Sequence, residues 1–143
     1  MPGAEVAFDT TVAIAILNGR EDVARWSRGF DVIWLPVPVL GEFHFGAENS
    51  GKPEENLRRV DELAARCKVL ILGEATARTY STLRLDLKRK GKPIPENDLW
   101  IAAVCVEHDI PLATTDGHFR EVSSLRILVP ERDRPTFPSR PSA

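Results

Sequence analysis

The sequence is short of cysteine, has no long apolar run and carries no excess of one charge, and each absence excludes a class of protein. Only two cysteines occur in 143 residues, Cys67 and Cys105, in separate segments and not as a CxxC pair. They read as packed or free thiols in a reducing cytoplasm, which excludes a disulfide-stapled domain and a cysteine zinc site. No apolar run approaches the roughly 20 residues that cross a bilayer, so an integral membrane protein is excluded. The start lacks a basic segment, an apolar core and a small-residue cleavage site, and Asp9 with two threonines interrupts the apolar stretch 6–17. No secretory signal is expected, and the expected location is cytoplasmic. The 19 basic and 21 acidic residues leave a net charge of −2, which is not the overall charge of a nucleic-acid binder. Charge acts by place, however. If Asp9, Glu42, Asp98 and Asp116 share one pocket and are neutralised there by metal, the remaining surface is weakly basic and compatible with RNA.

What is present suits a single domain with one core: 43 % apolar and 28 % charged residues. Short apolar runs alternate with helical patterns. Glu5–Phe8, Val32–Leu35, Val69–Leu72, Pro111–Thr115 and Arg126–Val129 read as strands, the third apolar on both faces. Helical patterns cover about 12–17, 21–28, 39–49, 53–64, 75–90 and 97–108, the last apolar almost all round and so expected to be central. Strands written as apolar runs rather than in–out alternations predict an α/β domain in three layers: a mostly parallel five-stranded sheet with helices on both faces. The domain is expected to span 1–130, and the Pro- and Ser-rich tail 131–143 to carry no fold.

Four acids border apolar segments. Asp9 directly follows the first strand and Asp116 the fourth, and parallel sheets bind ligands beyond the carboxyl ends of their strands. If those strands are neighbours, the two carboxylates share a crevice. Asp98 stands at the head of the apolar helix, and Glu42 lies inside Val39–Gly46, where its neighbours Val39 and Phe45 predict that it does not face open water. Each position also has an ordinary structural explanation. Asp9 can cap a helix, Asp98 suits a first helical turn, Asp116-Gly117 is a turn pair, and Glu42 can be a plain surface residue. Most other acids sit in charged faces, such as Glu54-Glu55 and Asp61-Glu62.

The segments Phe8-Asp9-Thr10-Thr11-Val12, Val39-Leu40-Gly41-Glu42, Asn97-Asp98-Leu99-Trp100-Ile101-Ala102-Ala103 and Thr114-Thr115-Asp116-Gly117-His118-Phe119 together resemble the PIN-domain family, and more narrowly its VapC-type toxins. The likeness covers about residues 5–130 in the family's order. It implies a PIN-like nuclease fold, a divalent-metal acidic site, endoribonuclease activity on RNA, a cognate VapB-like antitoxin and a homodimer. The sequence departs at Thr11, where the family usually has asparagine. Threonine offers a single, shorter hydroxyl. A PIN-like module with weak turnover, acting through its antitoxin complex in DNA-linked regulation, is the alternative that this departure raises.

Clustered carboxylates repel one another unless a cation joins them, and hard oxygen ligands suit Mg²⁺ or Mn²⁺. Asp9, Asp98 and Asp116 are the expected metal ligands, Glu42 a ligand through water or the group that orients the attacking water. Thr11 and Thr114 are expected to aim the carboxylates. Arg84, Lys88, Arg89, Lys90 and Lys92 form the densest basic patch and are candidates for holding RNA phosphate, or else a solvated helix end. His44 and His118 are weaker acid–base candidates, His118 the better placed. Trp26 and Trp34 read as core or partner surface and Trp100 as core. A phosphotransferase using Asp9 as nucleophile is disfavoured, because Thr11 stands where a haloacid-dehalogenase-type enzyme wants a second aspartate. A receiver domain is disfavoured because only Glu74 follows the third strand.

Overall fold

The computed structural model describes residues 3–130 and 132–133, so the expectation for the tail falls almost wholly outside the described residues. The chain runs β1 (Glu5–Phe8), α1 (Thr10–Leu17), α2 (Glu21–Ser27), β2 (Val32–Pro36), α3 (Val37–Glu48), α4 (Pro53–Ala65), β3 (Lys68–Leu70), α5 (Glu74–Lys90), α6 (Glu96–His108), β4 (Leu112–Ala113), a 3₁₀ turn (Gly117–Glu121) and β5 (Ile127–Leu128). The strands form one sheet in the order β3-β2-β1-β4-β5, and every pairing is parallel. From β1 the chain builds outward through β2 to β3, then crosses back to place β4 on the other side of β1. Right-handed crossovers that reverse direction in this way put helices on both faces of a sheet.

Consecutive burial along the central strand confirms the two-sided cover. Val6, Ala7 and Phe8 are all fully buried, which a strand with one wet face cannot achieve. α6 is buried along Leu99, Ile101, Ala102, Ala103, Val104 and Cys105. Its run of alanines lets a neighbour approach closely, and α5 packs along it. Cys105 is buried and Cys67 half-buried, and both are free thiols. No helix among the described residues is long and apolar enough to cross a membrane.

Three local expectations are corrected. β3 is an edge strand beside β2 alone, so its apolar run is not covered on both faces: Val69 and Ile71 are exposed. Pro36 closes β2 and caps α3, whose first turn contains Pro38. Proline needs no backbone donor there, so the helix starts two residues earlier than its apolar pattern suggests. The segment after Asp116, read as a turn, winds into a 3₁₀ helix, with Asp116 accepting from the His118 amide at 2.9 Å.

A candidate acidic metal centre

β1 and β4 are neighbours, in register Phe8↔Ala113. The residues that follow them therefore leave the sheet side by side, at the point where the strand order reverses. Asp9 is 3 % exposed and caps α1. Its Oδ1 accepts from Thr11 Oγ1 at 2.7 Å and from the Val12 amide at 3.1 Å, and its Oδ2 accepts from Thr114 Oγ1. Thr114 Oγ1 in turn accepts from the Asp116 amide at 2.9 Å. One hydroxyl thus ties the β1 acid to the loop that carries the β4 acid. Thr11 Oγ1 also takes a long hydrogen bond from the Thr115 hydroxyl, at 3.3 Å. Capping and site-building coincide at two of the acids: Asp9 caps α1 and Asp116 caps the 3₁₀ turn, while Asp98 lies in the first turn of α6.

α6 brings Asp98 to that crevice. His118 Nδ1 lies 3.1 Å from Asp116 Oδ1 and 3.5 Å from Asp98 Oδ2. One donor atom from each of Asp98, Asp116 and His118 falls within 4.8 Å of the others. Side-chain exposures of 22 % for Asp98, 29 % for Asp116 and 55 % for His118 make the cluster accessible from solvent. Two carboxylates and an imidazole are a donor set that a divalent cation fits. His118 joins Asp98 and Asp116 in this trio, and Asp9 is close enough for its charge to act on Asp98 and for that of Asp116 to act on it.

The electrostatics follow from that crowding. Burial raises the Asp9 carboxyl above its ordinary value, its three donors pull it back, and the negative charge of Asp116 pushes it up again. Asp98 is also raised, first by burial, then by Asp116 and by Asp9, against the lowering effect of His118. Acids that resist ionisation for want of a counter-charge are what a metal pocket contains before it is filled.

Glu42 is brought to this region differently. It is exposed, not turned toward the apolar face that its neighbours suggested, and Phe45 is exposed as well. The Asn97 side-chain amide donates to Glu42 Oε1, so the residue just before Asp98 ties α3 to the head of α6. Asn97 lay in the recognised motif, but no pattern along the chain assigns it a partner 55 residues away. His44 is exposed. Trp100, expected in the core, is half-buried and stacks on Tyr80 at 3.9 Å. Trp26 packs edge-on to Phe30, and Lys68 lies over Trp34.

The basic patch divides. Arg84 and Lys88 border a cleft between α5 and α6. Lys90 turns away, donating to the Glu121 carbonyl at 2.6 Å and pairing with Asp86 at 3.5 Å. Arg89 and Lys92 are exposed.

A parallel sheet of this order with an acidic crevice at its reversal point defines a class, the α/β domains that carry their polar site at the carboxyl edge of the sheet. The PIN domain pattern matches residues 6–125, and the chain belongs to the PIN domain family, among its VapC ribonucleases. Ribonuclease VapC4 of Mycobacterium tuberculosis is 32 % identical over 123 residues, covering 84 % of this chain and 92 % of that protein. The tRNA(fMet)-specific endonuclease VapC of Shigella flexneri is 32 % identical over 122 residues, covering 83 % and 92 %. Among solved structures, the DNA-bound VapBC complex of Salmonella typhimurium contains a chain superposing with a TM-score of 0.83 at 26 % identity, covering 88 % of this chain and 98 % of that one.

Proposed function

We propose that the chain is a divalent-metal-dependent endoribonuclease, the toxin of a toxin–antitoxin pair, hydrolysing RNA phosphodiester bonds at the crevice of Asp9, Asp98 and Asp116. The observation that carries this reading is the approach of Asp98, Asp116 and His118 donor atoms to within 4.8 Å, beside a buried Asp9. Asp98 and Asp116 would hold Mg²⁺ or Mn²⁺, with Asp9 as the third carboxylate. His118 is an added nitrogen donor, which favours Mn²⁺ over Mg²⁺. A bound ion of this kind lowers the pKa of water and neutralises charge on a phosphodiester.

The chain's own residues do the positioning. Thr11 and Thr114 fix both oxygens of Asp9, so that carboxylate is held in one orientation. Glu42, steadied by Asn97, is the group that orients the attacking water. Arg84 and Lys88 supply cationic grip on the phosphates of the strand. The alternative of a module with weak turnover draws its support from Thr11, and its hydroxyl makes the 2.7 Å contact to Asp9 that holding the carboxylate requires.

The antitoxin partner and the homodimer are part of the same proposal. The similar VapBC-5 of Mycobacterium tuberculosis is a member of the VapBC family of toxin–antitoxin systems, and the similar VapBC of Salmonella typhimurium is bound to DNA. Exposed Phe45, Val37 and Ile14 provide apolar surface for such contacts.

The direct test is RNA cleavage by purified Asp98→Asn and Asp116→Asn proteins with Mg²⁺ or Mn²⁺. Each is expected to lose at least about a hundredfold in rate, the scale of losing a metal-orienting group. Wild-type rates in both would remove the metal site. Metal-dependent cleavage by the isolated wild-type chain separates a toxin from a scaffold.

A further inference from the structure

A cleft of about 410 Å³ opens between the end of α5 and the start of α6. Its apolar side is Leu87, Ile94 and Leu99, and its polar rim is Arg84, Lys88 and Glu96. Leu87 and Leu99 are buried, so they form a floor rather than an exposed patch. Glu96 and Asp98 both lie in the first turn of α6 but, two residues apart, on opposite faces, so the cleft and the acidic crevice flank the head of one helix from its two sides.

Glu96 is held in place from behind. Tyr80 donates its hydroxyl to Glu96 Oε1, and Arg84 donates to the Tyr80 oxygen at 2.8 Å. The Tyr80 ring lies flat on Trp100, 16° from parallel, so the hydroxyl cannot wander. Glu96 Oε2 lies 3.9 Å from Arg84, beyond hydrogen-bond reach, and keeps its capacity to accept. The result is an apolar floor, two cations and one oriented acceptor.

We propose that this cleft is a base subsite for single-stranded RNA, in which Glu96 accepts from the amino group of a base and favours cytosine over uracil, while Arg84 and Lys88 hold the flanking phosphate. The inference rests on the endoribonuclease reading and adds a specificity determinant to it. A carboxylate accepts and cannot donate. It pairs with the cytosine N4 amino group and repels the uracil O4 that occupies the same place. The floor suits a base face, and cations at the rim complement a polyanion rather than an apolar partner.

The test reads binding without cleavage. Asp98→Asn protein in EDTA, which leaves the strand intact and removes one repelling carboxylate, is titrated with fluorescent oligo(C) and oligo(U) at neutral pH. The expected result is about tenfold tighter binding of oligo(C). Adding Glu96→Gln should erase that ratio, since an amide can both accept and donate. Adding Lys88→Ala should weaken both oligomers by the same factor. Equal binding of the two oligomers, absence of binding to either, or a preference that survives Glu96→Gln overturns the proposal. Failure of the wild-type chain to cleave RNA with metal would instead defeat the nuclease reading, without altering this ratio.

Discussion

Asp9 and Asp98 illustrate how a single side chain can oppose the fold it belongs to. Both carboxyls are raised above the ordinary aspartate value, first by burial and then by the negative charge of Asp116. A group whose folded pKa exceeds its unfolded value favours folding below the unfolded value and loses that contribution as pH rises through the folded one. The metal-free protein should therefore be destabilised by these acids at neutral pH. Asp98→Asn is expected to raise the melting temperature of EDTA-treated protein at pH 7, and to change it little at pH 3, where wild-type Asp98 is also neutral. Calorimetry at the two pH values checks the sign, and a lower melting temperature at pH 7 would contradict it. Thr114→Val is the converse case. It keeps the shape but removes a donor from a buried carboxylate, and should destabilise by about 1–3 kcal/mol in urea unfolding.

At the scale of elements, the ends of helices place the chemistry. α1 begins on Asp9, the 3₁₀ turn on Asp116, and the first turn of α6 carries Asp98. α5 ends on Gly91 at φ 68°, a left-handed cap that lets the loop turn back toward α6. Gly91→Ala meets no neighbouring atom but is strained by that backbone, and should cost about 1 kcal/mol. A chemical-denaturation midpoint measures it, and an unchanged midpoint would show that the cap is not rigid. Along α6, Ala102 and Ala103 are fully buried. Most helices were readable from apolar spacing and from their breakers, Asn18-Gly19, Ser50-Gly51 and Gly91. The edge position of β3 was not, because an apolar triplet looks the same at the edge of a sheet as at its centre.

The whole molecule brings three carboxylates to one end of the sheet, and a bound cation would relieve their repulsion. Ligand binding to the folded state alone adds about 2.7 kcal/mol at a hundred times Kd, or roughly 5–10 °C for a domain of this size. Saturating Mn²⁺ should raise the melting temperature of the wild-type chain on that scale and leave the Asp98→Asn/Asp116→Asn protein nearly unmoved. Equal shifts in both would place metal binding elsewhere. The basic face acts at the same scale. Lys88→Gln/Arg89→Gln should flatten the dependence of RNA binding on salt, because fewer counterions are released, and an unchanged slope would return those residues to plain helix-end solvation.

The sequence by itself determined the class of fold, because uninterrupted apolar strands alternating with amphipathic helices can be buried only in a parallel sheet covered on both sides. It also determined the order of the motifs and the stations of Asp9, Asp98 and Asp116, since strand ends and helix starts are local features. Only the tertiary structure decided that β4 lies beside β1, for strand order depends on which surfaces pack and not on spacing. That adjacency put His118 between Asp98 and Asp116 and Thr114 on Asp9. Tertiary packing also left Glu42 exposed and tied to Asn97, against the reading of its helix neighbours, because a helix face is buried or open according to what the fold lays against it.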